Sequence, residues 1–370
     1  MFGTTFTVFN FLSIFFVLLP SPWHWRARNT ATLIYIFWCL VIVFPLAINS
    51  LIWRGRFGLE APIYCDIVTK LRVGGDVGIP ASVLCLTRQL ESIAAARQAY
   101  FNAKDRRRRR LEELALGLGF PVLVMILHTV VQGHRYDIYE DVGCVVTIYW
   151  SVPALPLLHL WPILFLLASC VYAGLAARLF VARRKQFAKV LESSKSAMST
   201  SRFIRLIALS VTQVLVTLPM LLFLRIYSLL HVPLLPYVSW DYVHADFGGV
   251  VHLSTTYLEA NLTNGTPVVL ELSYWVGTIS SALFFIFFGL GEESITTYKE
   301  WGRSLKSLCR IRRKDCKIDS LPSNVTAIAL PPYPSSDSSI LQTNDLEKSG
   351  LEASLPGIYV TVERDNYTSF

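Results

Sequence analysis

Residues 31–53 read ATLIYIFWCLVIVFPLAINSLIW, a run of twenty-three positions without one charged side chain. A bilayer's hydrocarbon core is about 30 Å thick and takes roughly 20 apolar residues in helical form, so this segment predicts a spanning helix. Six further runs lie on either side of it, at about 3–20, 64–88, 111–131, 153–179, 203–229 and 271–290. In lipid, only helices and closed barrels satisfy every backbone polar group, and these runs are continuous where a barrel strand would alternate. The expected fold is an all-α membrane protein, a seven-transmembrane helix bundle over residues 1–290.

Composition agrees with that solvent. Charged residues make up 16% of the 370, against about 25% in a soluble chain. Met1 to Asn10 carries no basic segment, and no small-residue cleavage site follows the first apolar run. That run is therefore expected to be retained as a span rather than removed as a signal peptide. The net charge of +8 points to no nucleic acid, because its distribution follows the spans. With the start placed outside, the inner segments hold 26 Lys and Arg and the outer ones hold three, Arg54, Arg56 and Arg135. Basic residues in short loops stay cytoplasmic, so the N-terminus is expected outside and the C-terminus in the cytosol.

The outer segment 230–270 has no Lys or Arg and carries two acceptor sequons, at Asn261 and Asn264; glycosylation is expected there and not at Asn324 or Asn366 in the tail. Cys65, at the outer end of the third span, and Cys144, in the second outer loop, both face an oxidising compartment where a disulfide persists. A bridge between them would tie that loop to the third helix, but the Cα separation it needs is not readable from sequence. Cys39, Cys85 and Cys170 lie within spans and read as packing residues.

Charges inside spans carry the sharper information, since each is expensive there. The third span holds Lys70, Arg72 and Asp76. Arg72 and Asp76 are four apart and share a helix face. Lys70 lies about 200° around the helix from Arg72, so the two need different partners. Two uses fit the pair: the polar floor of a ligand cavity opening outward, or an ion pair that sets helix register. His159, Arg225 and Glu271 sit near the outer ends of the fifth, sixth and seventh spans. Arg225 is within snorkelling reach of the interface, and Glu271 is a partner it could meet across adjacent helices. Pro80 and Pro219 each remove a helical hydrogen bond and bend their spans. Gly74, Gly75 and Gly78 permit close helix packing.

The inner surface is basic throughout. Arg88, Arg97 and the five consecutive arginines 106–110 occupy the second inner loop, and Arg183, Arg184 and Lys185 open the third. Such a surface holds the anionic inner leaflet or presents one positive face to an acidic cytosolic partner. Beyond the last span, Tyr298, Trp301, Leu305 and Leu308 recur at helical spacing with basic residues between them. Residues 291–319 therefore read as a basic interfacial helix and juxtamembrane segment, with Cys309 and Cys316 as palmitoylation candidates. Residues 320–370, rich in Ser, Pro, Asp and Asn, read as a disordered cytoplasmic tail. No Gly-rich phosphate loop, nucleophile elbow or metal-spaced His pair is present. No enzyme, metal or cofactor is expected.

Particular words in the chain carry a family resemblance. The first inner loop reads Pro22-Trp23-His24-Trp25. The third span contains Cys65-Asp66-Ile67, Thr69-Lys70 and Gly78-Ile79-Pro80-Ala81, with Arg88 at its inner end. The second outer loop ends in Glu140-Asp141-Val142-Gly143-Cys144. Trp240, Tyr242, His244 and Phe247 precede the last span, which closes on Phe287-Phe288-Gly289. In this order the words resemble the fungal lipopeptide mating-pheromone receptors, the a-factor-receptor type of class D G-protein-coupled receptor in its mushroom form. The resemblance covers residues 20 to 290.

The resemblance implies a multi-pass plasma-membrane receptor for a peptide with a farnesylated C-terminal Cys, with a heterotrimeric G protein as inner partner and a mating or compatibility role. Lys70 and the 78–81 stretch carry over as core elements, and Arg88 as part of the cytoplasmic end. The expected ligand-facing set is Lys70, Arg72, Asp76, His159, Arg225 and Glu271. The expected G-protein-facing set is Arg88, Arg97, Arg106, Arg107, Arg108, Arg183, Arg184 and Lys185. Two other readings stay open: a transporter using the charged third span, which too few acidic residues in facing spans argue against, and a receptor-like paralogue without a pheromone ligand.

Overall fold

The structure, a computed structural model, describes residues 3–95, 97, 101–193, 200–261, 266–291 and 294–304; for 183–193, 200–203, 259, 261 and 266–269 it describes the backbone alone. The described residues belong to one compact unit.

The chain opens with α1 (Thr4–Leu18) and the short α2 (Ser21–Arg26), then α3 (Thr30–Ile52). Asn29 starts α3 by accepting a hydrogen bond from the Thr32 amide, which satisfies one of the orphan N–H groups of the first turn. The longest early helix is α4 (Pro62–Ala94). Next come α5 (Ala103–Leu114), a π-helical turn over Ala115–Gly119, α6 (Phe120–Leu127) and a 3-10 turn over His128–Val131. Helices α7 (Leu160–Ser193) and α8 (Thr200–His231) follow, then the short α9 (Trp240–Val243) and α10 (Thr255–Asn261), and α11 (Thr266–Phe284), which ends in a π-turn over Phe285–Gly289. Residues 294–304 are helical again.

Among the described residues, six segments are long and apolar enough to cross a membrane: Thr4–Arg26, Thr30–Ile52, Ala103–Val131, Leu155–Ala182, Ile204–His231 and Leu270–Gly289. Helix α4 has the length, but Lys70, Arg72, Asp76 and its glycines lower its hydropathy, and it is not among the six. Packing explains how it tolerates those groups. It lies at the centre of the bundle, against α3, α6, α7 and α8, and most of its residues from Val73 to Leu90 are buried. Its small residues admit the neighbours: a Cβ on Gly78 would overlap the Trp38 indole, and one on Gly75 would overlap Ile42.

A three-stranded sheet closes one end of the bundle: β1 (Tyr136–Tyr139) pairs antiparallel with β2 (Gly143–Val145) and parallel with β3 (Val250–Leu253). Two segments far apart in sequence are thereby joined into one cap. A disulfide between Cys65, on the first turns of α4, and Cys144 of β2 anchors it, with the Cα atoms 5.3 Å apart.

Candidate functional site

The Glu140–Cys144 turn shows why the cap takes its shape. Asp141 adopts a left-handed backbone (φ 64°). Its amide donates to the Trp53 carbonyl and its carboxylate accepts from the Gly55 amide at 2.8 Å. Gly143, at φ 81°, lies against Trp53 and Asn49 where a Cβ would collide. The Glu140 carboxylate accepts from the Thr255 amide at 2.7 Å. Asp66 and Arg135 add a two-bonded ion pair, at 2.8 and 2.5 Å, between α4 and the residue before β1. That partner holds the Arg135 guanidinium above its ordinary value. Within β1, burial pushes the Asp137 carboxyl up, against the opposing hydrogen bond with His134.

Beneath the cap is a cavity of about 210 Å³ between α3, α4, α8 and α11, with Cys144 and Val145 at its edge. Arg72 dominates it. Seven residues past Cys65, it sits about 10 Å further along α4. Its Nε pairs with Asp76 at 3.2 Å, its Nη2 donates to the Ser273 carbonyl at 3.0 Å, and its guanidinium lies 5.2 Å over the Tyr274 ring. Its Nη1 is buried with no hydrogen-bond partner among the described residues. Arg225 of α8 lines the same cavity. Two guanidiniums face one carboxylate there, which leaves a positive charge unbalanced, since arginine stays protonated in proteins. The remaining wall is largely aliphatic, including Ile42, Leu46, Val68 and Leu270.

Lys70 leaves α4 on another side. Its ammonium reaches Gln132 Oε1 at 2.6 Å, His128 Nδ1 at 3.0 Å and Thr129 Oγ1 at 3.4 Å. With Nδ1 accepting, His128 donates from Nε2 to the Thr147 carbonyl at 2.9 Å, the neutral tautomer that serves both contacts. All three partners of Lys70 are neutral. A second cavity of about 420 Å³ adjoins it, rimmed by Asp66, Arg135 and Phe247. Phe247 belongs to an aromatic row in which His244 stacks on Trp240 at 3.9 Å and approaches Phe247 at 5.3 Å.

The expected ligand-facing residues therefore divide. Arg72, Asp76 and Arg225 share one cavity and Lys70 borders another. His159 is buried beside Trp150, ring centroids 5.2 Å apart, away from either lining. Glu271 is half-buried on α11 and forms no ion pair with Arg225 among the described residues.

At the opposite end, Arg88 and Arg108 both pair with Glu112, at 2.5 and 3.0 Å, and Arg97 pairs with Glu91. Arg106 and Arg107 are exposed. The side chains of Arg183, Arg184, Lys185 and Asn261, together with Asn264, Asn324, Asn366, Cys309, Cys316 and the whole tail, lie outside the described residues.

Sequence reasoning passed over several groups that hold the bundle together. Tyr35 donates to the Ser280 carbonyl at 3.1 Å and approaches Gln213 at 3.3 Å; Gln213 in turn donates to Ser280 Oγ at 2.8 Å. Thr278 donates to Asn10 at 3.0 Å. The signal was present, because Asn10 and Gln213 are amides inside apolar runs, where such side chains bond across helices.

The fold and the site define a polytopic helical membrane protein with a cationic cavity beneath a disulfide-anchored cap. The chain belongs to the Pheromone A receptor family, which it matches over residues 5–308. It is 37% identical to the Pheromone B beta 1 receptor of Schizophyllum commune over 324 residues, covering 85% of this chain and 59% of that one. It is 33% identical to Pheromone receptor 2 of Mycosarcoma maydis, covering 79% and 83%, and 26% identical to the Pheromone a factor receptor of Saccharomyces cerevisiae, covering 80% and 61%. The chain spans about half the length of the Schizophyllum commune receptors it matches. The family is one of receptors and not of enzymes.

Proposed function

We propose that the protein is a plasma-membrane, G-protein-coupled receptor for a farnesylated peptide mating pheromone, with seven spanning helices, an outer N-terminus and a cytosolic C-terminus. In this arrangement α4 is the third span and completes the seven, carried by burial in the bundle instead of by its own hydropathy. The sheet cap and the aromatic row from Trp240 to Phe247 face outward, and the arginine-rich end of α5 faces the cytosol with its heterotrimeric G protein.

The observation that carries this reading is the cavity under the cap, where the buried Arg72 Nη1 has no hydrogen-bond partner among the described residues. Leaving such a donor unmade costs about 1–3 kcal/mol or more for a charged group, and an acceptor on a bound peptide would recover it. At about 210 Å³ the cavity is below the roughly 300–1,000 Å³ of drug-sized ligand sites. It therefore takes one polar group with its apolar neighbours, while the cap and aromatic row hold the rest. Binding favours whichever bundle state supplies the better contacts, and α8, which carries Pro219 within its length, is the element that passes that preference to the inner end in this proposal.

The test is nucleotide exchange on a co-reconstituted G protein with synthetic farnesylated peptides. Exchange that rises with peptide and requires Arg72 supports the proposal. Solute movement without exchange, or exchange indifferent to any farnesylated peptide, counts against it.

A further inference from the structure

The end of the bundle opposite the cap holds a third cavity, of about 460 Å³, between the α2–α3 turn, the inner end of α4 and the first turns of α5. Arg28, Arg106, Arg109 and Arg110 line it, with Gln89 and Glu113. Arg109 and Glu113 pair at 3.8 Å, so the one carboxylate present is already engaged. Arg109 is also fixed in place: it donates to Ser92 Oγ at 2.6 Å and to the Arg88 carbonyl at 3.0 Å, and lies over the Phe101 ring. Among the described residues, no carboxylate forms an ion pair with Arg28, Arg106 or Arg110. Four guanidiniums thus line one concave space that holds a single carboxylate, Glu113, among the described residues.

Two further observations bear on its occupant. Arg28 is held at φ 49°, a left-handed conformation disfavoured for any residue with a side chain, at the turn that follows α2. On the same short helix Trp25 is 73% exposed. Exposed tryptophans gather at the level of lipid headgroups, and Trp25 lies three residues before Arg28, which lines the cavity. Forked guanidiniums bind phosphate oxygens in pairs.

We propose that this cavity is a binding site for the multiply phosphorylated headgroup of an anionic membrane lipid, held by Arg28, Arg106 and Arg110 and positioned by Arg109. The proposal rests on the basic end facing the inner leaflet, and goes beyond a diffuse attraction of basic residues to acidic lipid by naming one site with few phosphates.

The experiment uses the full chain in phosphatidylcholine vesicles doped with either phosphatidylinositol bisphosphate or an equal charge of phosphatidylserine, with bound lipid read by native mass spectrometry after extraction. The expected result is preferential retention of the bisphosphate lipid, with Arg28→Ala, Arg106→Ala and Arg110→Ala each weakening it about fivefold and Lys104→Ala, an exposed charge on the same helix, leaving it unchanged. Thermal melting confirms that each variant is folded. Equal retention of phosphatidylserine, or an equal loss with Lys104→Ala, would overturn the site in favour of general charge. Competition by soluble inositol trisphosphate at the same concentration as the lipid would overturn the membrane source. Because neither peptide nor G protein is present and both leaflets carry the lipid, failure here leaves the receptor proposal standing, and failure of exchange leaves this one standing.

Discussion

Trp38 and Gly78 are fitted to each other: the indole of one occupies the space that a Cβ on the other would need. The ring's Nε1 donates to the Gly117 carbonyl at 2.7 Å, in the π-turn over Ala115–Gly119. Three helices are locked by this one contact. Gly78→Ala is expected to lower stability by about 1–3 kcal/mol through overpacking. Gly174→Ala, where nothing lies within 4 Å, serves as the comparison. Thermal melting of the purified protein decides; equal melting of the two variants would show that the contact relaxes freely.

The disulfide between Cys65 and Cys144 closes a separation of 79 residues. Cys65→Ser and Cys144→Ser are each expected to cost about 2–4 kcal/mol, and the double variant no more than either single one. Melting with and without reductant checks this, and additive losses would mean that the two thiols act apart.

Arg72 reaches into the cavity, whereas Glu271 does not line it. Arg72→Ala is therefore expected to lower pheromone potency about tenfold or more, the scale of a lost charged hydrogen bond. Glu271→Gln is expected to stay within about twofold. Dose–response curves for nucleotide exchange separate them, and a larger effect at Glu271 would move the ligand site along α11.

The Asp66–Arg135 pair joins α4 to the cap and is part-exposed. Arg135→Ala is expected to loosen the cap and raise protease cleavage of the β1–β2 segment. The exchange Asp66→Arg with Arg135→Asp is expected to recover protection. An exchanged pair no better than the single variant would mark the contact as incidental.

Much of this architecture could be read in advance. The apolar runs place the helices, because a segment without charge has one favourable solvent. The division of α4 into faces is legible too: two residues' rotation about a helix sends Lys70 and Arg72 to different neighbours. The partners they find were not legible. Gln132 and His128 lie 62 and 58 residues from Lys70, and Ser273 lies 201 from Arg72. The Glu271–Arg225 contact that spacing allowed is missing among the described residues, since a position near the end of a span does not say which way its helix is turned.

Local chemistry in the chain thus settles which segments are apolar enough to enter lipid by themselves, six among the described residues, and which side chains are too costly to leave unpartnered. Folding in three dimensions settles which distant groups meet those side chains: the crossed sheet of β1 and β3, the cavity around Arg72, and the basic hollow beside Arg28. The reason is physical. Hydropathy and helical rotation are properties of neighbours along the backbone, whereas cavities and ion pairs arise from packing between helices whose facing surfaces are chosen by the shape of every side chain at once.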